Sequence, residues 1–232
     1  MRVIAFPFAG GNRYSFEFLR PYLEEGGVEL KVLEYPGRGR RIREPLLASL
    51  EEIEADAFER LERVINFNTG EYLIYGHSMG ALIGYLMSKK LEKGPLLTPR
   101  KLIVSGREAP CCKQEPEIRS NLESDAFWKE VDDLGGLPKE VLKVDELKEF
   151  YDPILRSDFS AIEGFDNSDT KKLNIPIDVF YGREEGLEYH PEVDKWNEAT
   201  TKQVRIYEKS GDHFFIYEHA ASIANHMLQA FS

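Results

Sequence analysis

The stretch Tyr72–Leu86, YLIYGHSMGALIGYL, decides how the rest of the chain is read. Tyr72, Leu73, Ile74 and Tyr75 are apolar and β-favouring without alternation, the pattern of a strand covered on both faces. From Ser78 the residues suit a helix over 78–94, apolar early, lysine-rich late and ended by Gly94. Between the two lies Gly76-His77-Ser78-Met79-Gly80, a GxSxG pattern. A serine on so sharp a strand-to-helix turn lifts its hydroxyl above the sheet. Small residues two before and two after it let the backbone turn without side-chain clashes. The helix start aims N–H groups and a positive dipole end at the same place, so the Met79 amide could hold an oxyanion. GxSxG alone is common. Between a strand and a helix it points to a nucleophilic serine, and an ordinary glycine turn is the alternative.

Outward from this stretch, further β-rich runs alternate with helical ones. Residues 3–8, 30–35, 101–106, 177–182 and 203–208 read as strands. Residues 49–67 read as a helix that opens on a capping box, Ser49 and Glu52, and 215–231 as a last helix. Alternating strands and helices predict an α/β fold with a mostly parallel sheet flanked by helices. The section 109–164 breaks the alternation, with helical pieces at 124–136, 138–143 and 145–159 and many large apolar residues, among them Phe127, Trp128, Ile154 and Leu155. It is expected to be a helical lid inserted in a core made of 1–108 and 165–232.

The 232 residues suffice for one sizeable α/β core, and 42% hydrophobic content excludes a disordered chain. No apolar run approaches the roughly 18 residues of a membrane helix, and the N-terminal VIAFPF runs into a glycine turn, as a first strand does and a signal peptide does not. A formal charge of −11 argues against nucleic acid. Cys111 and Cys112 are adjacent and lack CxxC spacing, so neither a structural disulfide nor a metal site is expected, and a cytoplasmic location fits. One run opposes the charge trend: Arg38, Arg40, Arg41 and Arg43 in YPGRGRRIRE, either a solvated loop or a cationic patch for a phosphate or an acidic partner.

A serine hydroxyl needs a base, and of the five histidines His213 is the best placed, after the last strand at the edge where α/β active sites gather. His77 is expected to point away from the site, His219 and His226 to lie on the last helix, and His190 in a loop. The order Ser78…His213 is that of α/β-hydrolases, which carry the acid between the two. The strand 177–182 precedes the histidine's strand, and Glu184 and Glu185 are the carboxylates at its tip, with Glu188 a little later. The alternative for either is a solvent-facing turn residue, which is the reading expected of Glu184, whereas Glu185 is expected to be functional. A second oxyanion donor is expected from the turn after the first strand, FPFAGGN, with the Ala9 amide preferred. That turn also reads as a plain strand-to-helix link.

FPFAGGNRYSF, YPGRGRR, YGHSMGALIGY, VSGREAP, LRSDFSAIEGF and SGDHFFI occur in that order over nearly the whole chain. Together they resemble the type II thioesterases that accompany nonribosomal peptide and polyketide synthases. The resemblance implies an α/β-hydrolase fold with a helical lid, and hydrolysis of acyl thioesters on the phosphopantetheine arm of acyl or peptidyl carrier proteins. It implies Ser78 as nucleophile, His213 as base, Ala9 and Met79 as oxyanion donors, no metal and no cofactor. A monomer in the cytoplasm is expected. The family usually places an aspartate three residues after the strand-ending glycine, often followed by proline. Here that interval selects Glu185, followed by Gly186, and a longer side chain requires the loop to retract, which glycine permits. Asp158 in LRSDF is a reserve acid, though its match suggests a structural role at the lid base first. Arg38, Arg40 and Arg41 are expected to contact the carrier or its phosphate. A general carboxylesterase or lipase, and a non-catalytic scaffold that binds carriers, are the alternative functions.

Overall fold

Strand β1 (Arg2–Phe6) shows how the sheet is covered: Val3 and Ala5 enter one apolar cluster, and Ile4 and Phe6 the other. This is the two-residue period of a strand buried on both faces. In the computed structural model, residues 1–64, 71–94, 96–112, 118–135, 139–165, 171–185 and 189–231 are described. The other strands are β2 (Glu29–Val32), β3 (Tyr72–His77), β4 (Leu102–Ser105), β5 (Ile177–Gly182) and β6 (Val204–Lys209), all parallel, in the order β2-β1-β3-β4-β5-β6. Each matches the expected run to within a few residues.

On one face α2 (Leu50–Val64) and α3 (Met79–Lys93) pack Leu50, Ile53, Leu61, Leu82 and Ile83 onto Ile4, Phe6, Ile74 and Val104. The other face is covered by α1 (Arg20–Glu25), a short helix not anticipated from the sequence, and α8 (Ala220–Gln229). The predicted capping box forms in part. Glu52 N–H donates to Ser49 Oγ at 3.2 Å, while the Glu52 carboxylate accepts from Ala48 N–H at 3.3 Å instead of from Ser49. Helix α8 begins at Ala220, later than the expected 215. Residues 213–219 make turns instead, with Tyr217 N–H bonded to Phe214 O and Glu218 N–H to Phe215 O. These turns bury Phe215 against the sheet and leave Phe214 in the aromatic cluster around His213.

Between β4 and β5 the described residues contain α4 (Ser124–Leu134), α5 (Lys139–Lys143) and α6 (Asp145–Glu163) and no strand of the sheet. Phe127, Trp128, Val131, Val141 and Leu155 form a small core of their own. Arg156 lies over the Phe127 ring at 4.1 Å and donates to Ser120 O and Leu122 O, each at 2.8 Å, so the loop before α4 is fastened to α6. These helices meet the sheet at its carboxyl edge, where Leu155 and Asp158 of α6 touch the turn after β1. Helix α7 (Tyr189–Asp194) fills the connection from β5 to β6.

At the opposite edge, Asp178 of β5 accepts hydrogen bonds from Lys101 Nζ at 2.5 Å and His226 Nε2 at 2.7 Å. This joins the start of β4 and helix α8 to the sheet. Burial alone would raise the Asp178 pKa, but the bonds from His226 and Lys101 outweigh it and hold the carboxyl below its ordinary value. A folded pKa below the unfolded one gives stability that is complete above the unfolded value of about 3.9 and is lost as pH falls through the folded value. Asp178→Asn should therefore cost up to about 3 kcal/mol at neutral pH, because Lys101 loses its partner. Urea melts of both proteins should converge as pH falls below about 4.

Candidate active site

The sequence elbow folds as a strained turn. Ser78 has φ 54° and ψ −118°, and it is the one non-glycine residue with positive φ among the described residues. Its N–H is tied to Ser105 O at 2.8 Å and its C=O to Ala81 N–H at 3.0 Å, which fixes the backbone on both sides. A Cβ on Gly76 would lie 2.0 Å from Gly80 O, and one on Gly80 would lie 1.9 Å from Phe6 O, so both positions admit glycine alone. The Ser78 side chain makes no capping bond to α3, which leaves the hydroxyl at the positive end of a 15-residue helix.

His213 follows β6, and its Nδ1 lies 2.6 Å from Glu185 Oε1. Glu185 sits in a tight 3₁₀ turn (Arg183–Glu185) at the tip of β5. Its other oxygen accepts the Gly182 N–H at 2.8 Å. Folding back onto the strand end is how the longer glutamate side chain is accommodated, and its carboxylate is 3% exposed. The expectation that Gly186 permits this retraction lies outside the described residues, as does Glu188. With the carboxylate on Nδ1, the imidazole carries its proton there and leaves Nε2 as an acceptor. Glu184 is exposed but is more than the solvent-facing turn residue expected of it. Its carboxylate accepts the Gly211 N–H and its own N–H donates to Gly211 O at 3.1 Å, pinning the tip of β5 to the loop that carries His213.

His77 corrects an expectation. It was predicted to point away from the site, yet its ring lies 4.9 Å from that of His213 and is fully buried. Successive side chains of β3 alternate in direction, so His77 faces the same way as Tyr75, and both reach Ser105 Oγ at 3.0 Å. Phe8, Phe214 and Phe215 ring the imidazole. Burial, and next the neighbouring His213, push the His77 pKa well below its ordinary value, so it stays neutral beside the base. His219 bonds to Ser210 O at 2.9 Å, and His226 to Asp178, as already described.

The arginine run is a second correction. Arg38 is 3% exposed and forms a bidentate pair with Asp158, at 2.5 and 2.7 Å. Arg41 is buried between Asp56 and Glu44 and donates to Glu34 O at 3.0 Å. Neither can meet a carrier or its phosphate, because each guanidinium is turned inward onto carboxylates. Arg40 and Arg43 remain at the surface, too few for the expected patch. Asp158, the reserve acid, is fully buried and engaged with Arg38 and the Gly10 N–H rather than with a histidine. Of the amides in the turn after β1, Gly10 N–H is taken by Asp158 and Gly11 N–H by Phe8 O. Among the described residues the Ala9 and Met79 amides enter none of the site's hydrogen bonds. No group of three or more metal-ligating side chains occurs among the described residues, and no helix there is long and apolar enough to cross a membrane.

Residues 1–231 match the family model described as Thioesterase domain. The gramicidin S biosynthesis protein GrsT of Aneurinibacillus migulanus is 31% identical over 222 residues, covering 94% of this chain and 84% of that protein. Among solved structures, ClbQ from the colibactin NRPS/PKS pathway superposes with a TM-score of 0.90 at 28% identity, over 99% of this chain and 96% of that one. YbtT, the type II thioesterase from the yersiniabactin NRPS/PKS pathway, superposes with a TM-score of 0.84 at 29% identity, over 100% of this chain and 94% of that one.

A serine held in a sparsely populated region costs about 1–3 kcal/mol. Glycine adopts that backbone without penalty. Ser78→Gly should therefore be more stable than Ser78→Ala by about 1–3 kcal/mol in urea denaturation, although glycine ordinarily destabilises.

Proposed function

Because the chain belongs to the thioesterase family, in its type II branch of nonribosomal peptide and polyketide pathways, we propose that it hydrolyses acyl groups carried on the phosphopantetheine arm of acyl or peptidyl carrier proteins, using Ser78, His213 and Glu185. Clearing stalled or misprimed arms is the task this reaction serves. The observation that carries the residue assignment is the 2.6 Å contact between His213 Nδ1 and the buried Glu185 carboxylate, beside the strained Ser78 turn. It supports Glu185 as the acid over Glu184 and Asp158, whose carboxylates are bonded elsewhere. A scaffold whose triad had decayed at the acid would have no reason to keep that carboxylate buried against the histidine.

Ser78 Oγ attacks the thioester carbonyl while its proton passes to His213 Nε2. The carbonyl oxygen becomes an oxyanion held by the Ala9 and Met79 amides. Collapse breaks the C–S bond, and the proton on His213 goes to sulfur, releasing the free thiol of the arm. Water then gives a proton to Nε2 as it attacks the acyl-serine, and a second collapse returns the proton to Oγ and frees the acid. Glu185 holds the reactive tautomer and stabilises the imidazolium in both halves. Neutral His77 adds no positive charge beside the imidazolium. The section 109–164 serves as the lid, resting on the turn after β1. All these parts come from one chain, so a monomer suffices, and the free cysteines fit a reducing cytoplasm.

With net charge −11, long-range attraction to an acidic carrier is absent, so specificity must come from short-range contact with the carrier surface, the arm and its acyl group. Side-by-side kcat/KM values should be highest for acyl-carrier protein, lower for acyl-CoA and lowest for a p-nitrophenyl ester. The reverse order would make the protein a general esterase. A fluorophosphonate probe should label Ser78, and Ser78→Ala should lower turnover by up to about 10⁶-fold. Glu185→Gln should lower kcat by about 10³–10⁴-fold, because the amide disfavours the required tautomer. Glu184→Gln should stay within a few-fold of wild type, and the opposite ranking would move the acid by one residue.

A further inference from the structure

The turn after β1 is held at three points by residues far from it in sequence. Tyr35 OH donates to Pro7 O at 3.0 Å, Gly10 N–H donates to Asp158 Oδ2 at 2.8 Å, and an Arg38 NH group reaches Gly11 O at 3.5 Å. Asp158 Oδ2 is shared between the Gly10 amide and Arg38, and Oδ1 completes the bidentate pair. Gly10 has φ +74°, and a Cβ there would lie 2.7 Å from Leu155 Cδ2 on α6. The Ala9–Gly10 peptide is thus pressed onto helix α6 and bonded to it through the Gly10 N–H.

A buried ion pair is a poor stability device. Taking both charges out of water costs about as much as their attraction returns, and apolar replacements of similar volume are often as stable. What a bidentate arginine–carboxylate pair supplies is a fixed geometry, because the planar fork admits one arrangement of the carboxylate. Burial works against the Arg38 charge, but Asp158 beside it outweighs burial and keeps the guanidinium protonated throughout the working range. Arg38 is itself braced by its own loop, with Nε bonded to Pro36 O at 3.3 Å and the guanidinium 5.4 Å from the Tyr35 ring. The carboxylate that fixes Gly10 is therefore set from two sides, by the loop after β2 and by α6.

We propose that Arg38 and Asp158 are positioning residues whose buried pair aims the Ala9 amide at the oxyanion and links that aim to helix α6 of the helical section. The inference rests on the oxyanion assignment made above. On this view YPGRGRR is an internal brace for the catalytic turn, and any shift of α6 along its axis moves the oxyanion donor with it.

The test compares wild type with Asp158→Asn and with the double variant Arg38→Met/Asp158→Leu, which removes both charges together and leaves none uncompensated. Thermal melts first establish that each variant is folded. On a short acyl thioester of N-acetylcysteamine, kcat should fall about 10–100-fold with KM within about threefold, the size expected for a misplaced donor. Affinity for a boronic acid that forms a tetrahedral adduct on Ser78 should fall by the same factor, while affinity for an inert thioether analogue should hold. The ascending limb of the pH–rate profile should stay in place, because Glu185 and His213 are untouched. A folded variant with wild-type kcat and boronate affinity would overturn the proposal. So would a displaced ascending limb, which would place Asp158's effect on the base, and so would equal losses for boronate and thioether. If neither variant folds, the pair is a stability element and the proposal falls. An inactive wild type would remove the functional reading itself, whereas an active wild type matched by its folded variants removes the clamp alone.

Discussion

The backbone of Ser78 depends on the absence of two side chains. With glycine at 76 and 80, β3 can end, reverse and start α3 within one residue, and the carbonyl of Phe6 on β1 can approach the start of that helix. The rest of the site is arranged around the point this turn defines. Ser105 on β4 anchors its N–H, β1 leads into the turn that carries Ala9, and the loops after β5 and β6 bring Glu185 and His213 to the same edge. A parallel sheet makes this convergence natural, since every strand delivers its carboxyl end, and the loop after it, to the same side.

Much of the architecture was legible because it is written locally. An unbroken apolar run covered on both faces, a capping serine and a lysine-rich helix end all act within a few residues, and the strands and the helices α2 and α3 fall close to where these signals put them. The elbow was legible for the same reason, since its steric demand is met by residues two positions away. What escaped was interaction at long range. Arg38 and Asp158 are 120 residues apart, so a run of arginines that looked like a surface patch is an internal network once its carboxylates arrive. The orientation of His77 has a signal in the sequence, the two-residue period that aligns it with Tyr75. The late start of α8 reflects a tertiary requirement. His213 must be presented by a turn, and helical propensity at 215–219 yields to it.

The two adjacent glutamates at the tip of β5 divide their work. Glu185 folds back under the strand end and is buried against His213, while Glu184 stays outside and ties the histidine's loop to the strand by two bonds to Gly211. One residue fixes the imidazole ring, and its neighbour fixes the loop on which the ring travels. The site therefore accommodates a glutamate at this position. The added length is taken up in a single 3₁₀ turn and is not transmitted to the histidine.

The chain order of the site also has a consequence during synthesis. The elbow and both neighbours of its strand, β1 and β4, are translated before β5 and β6, and His213 follows Ser78 by 135 residues. A growing polypeptide thus holds Ser78 long before His213, and β5 and β6, whose following loops bring Glu185 and His213 together, are the last strands of the sheet to be added. The strained Ser78 turn is complete in sequence before the contact between His213 and Glu185, which forms only when the final pair of strands has docked.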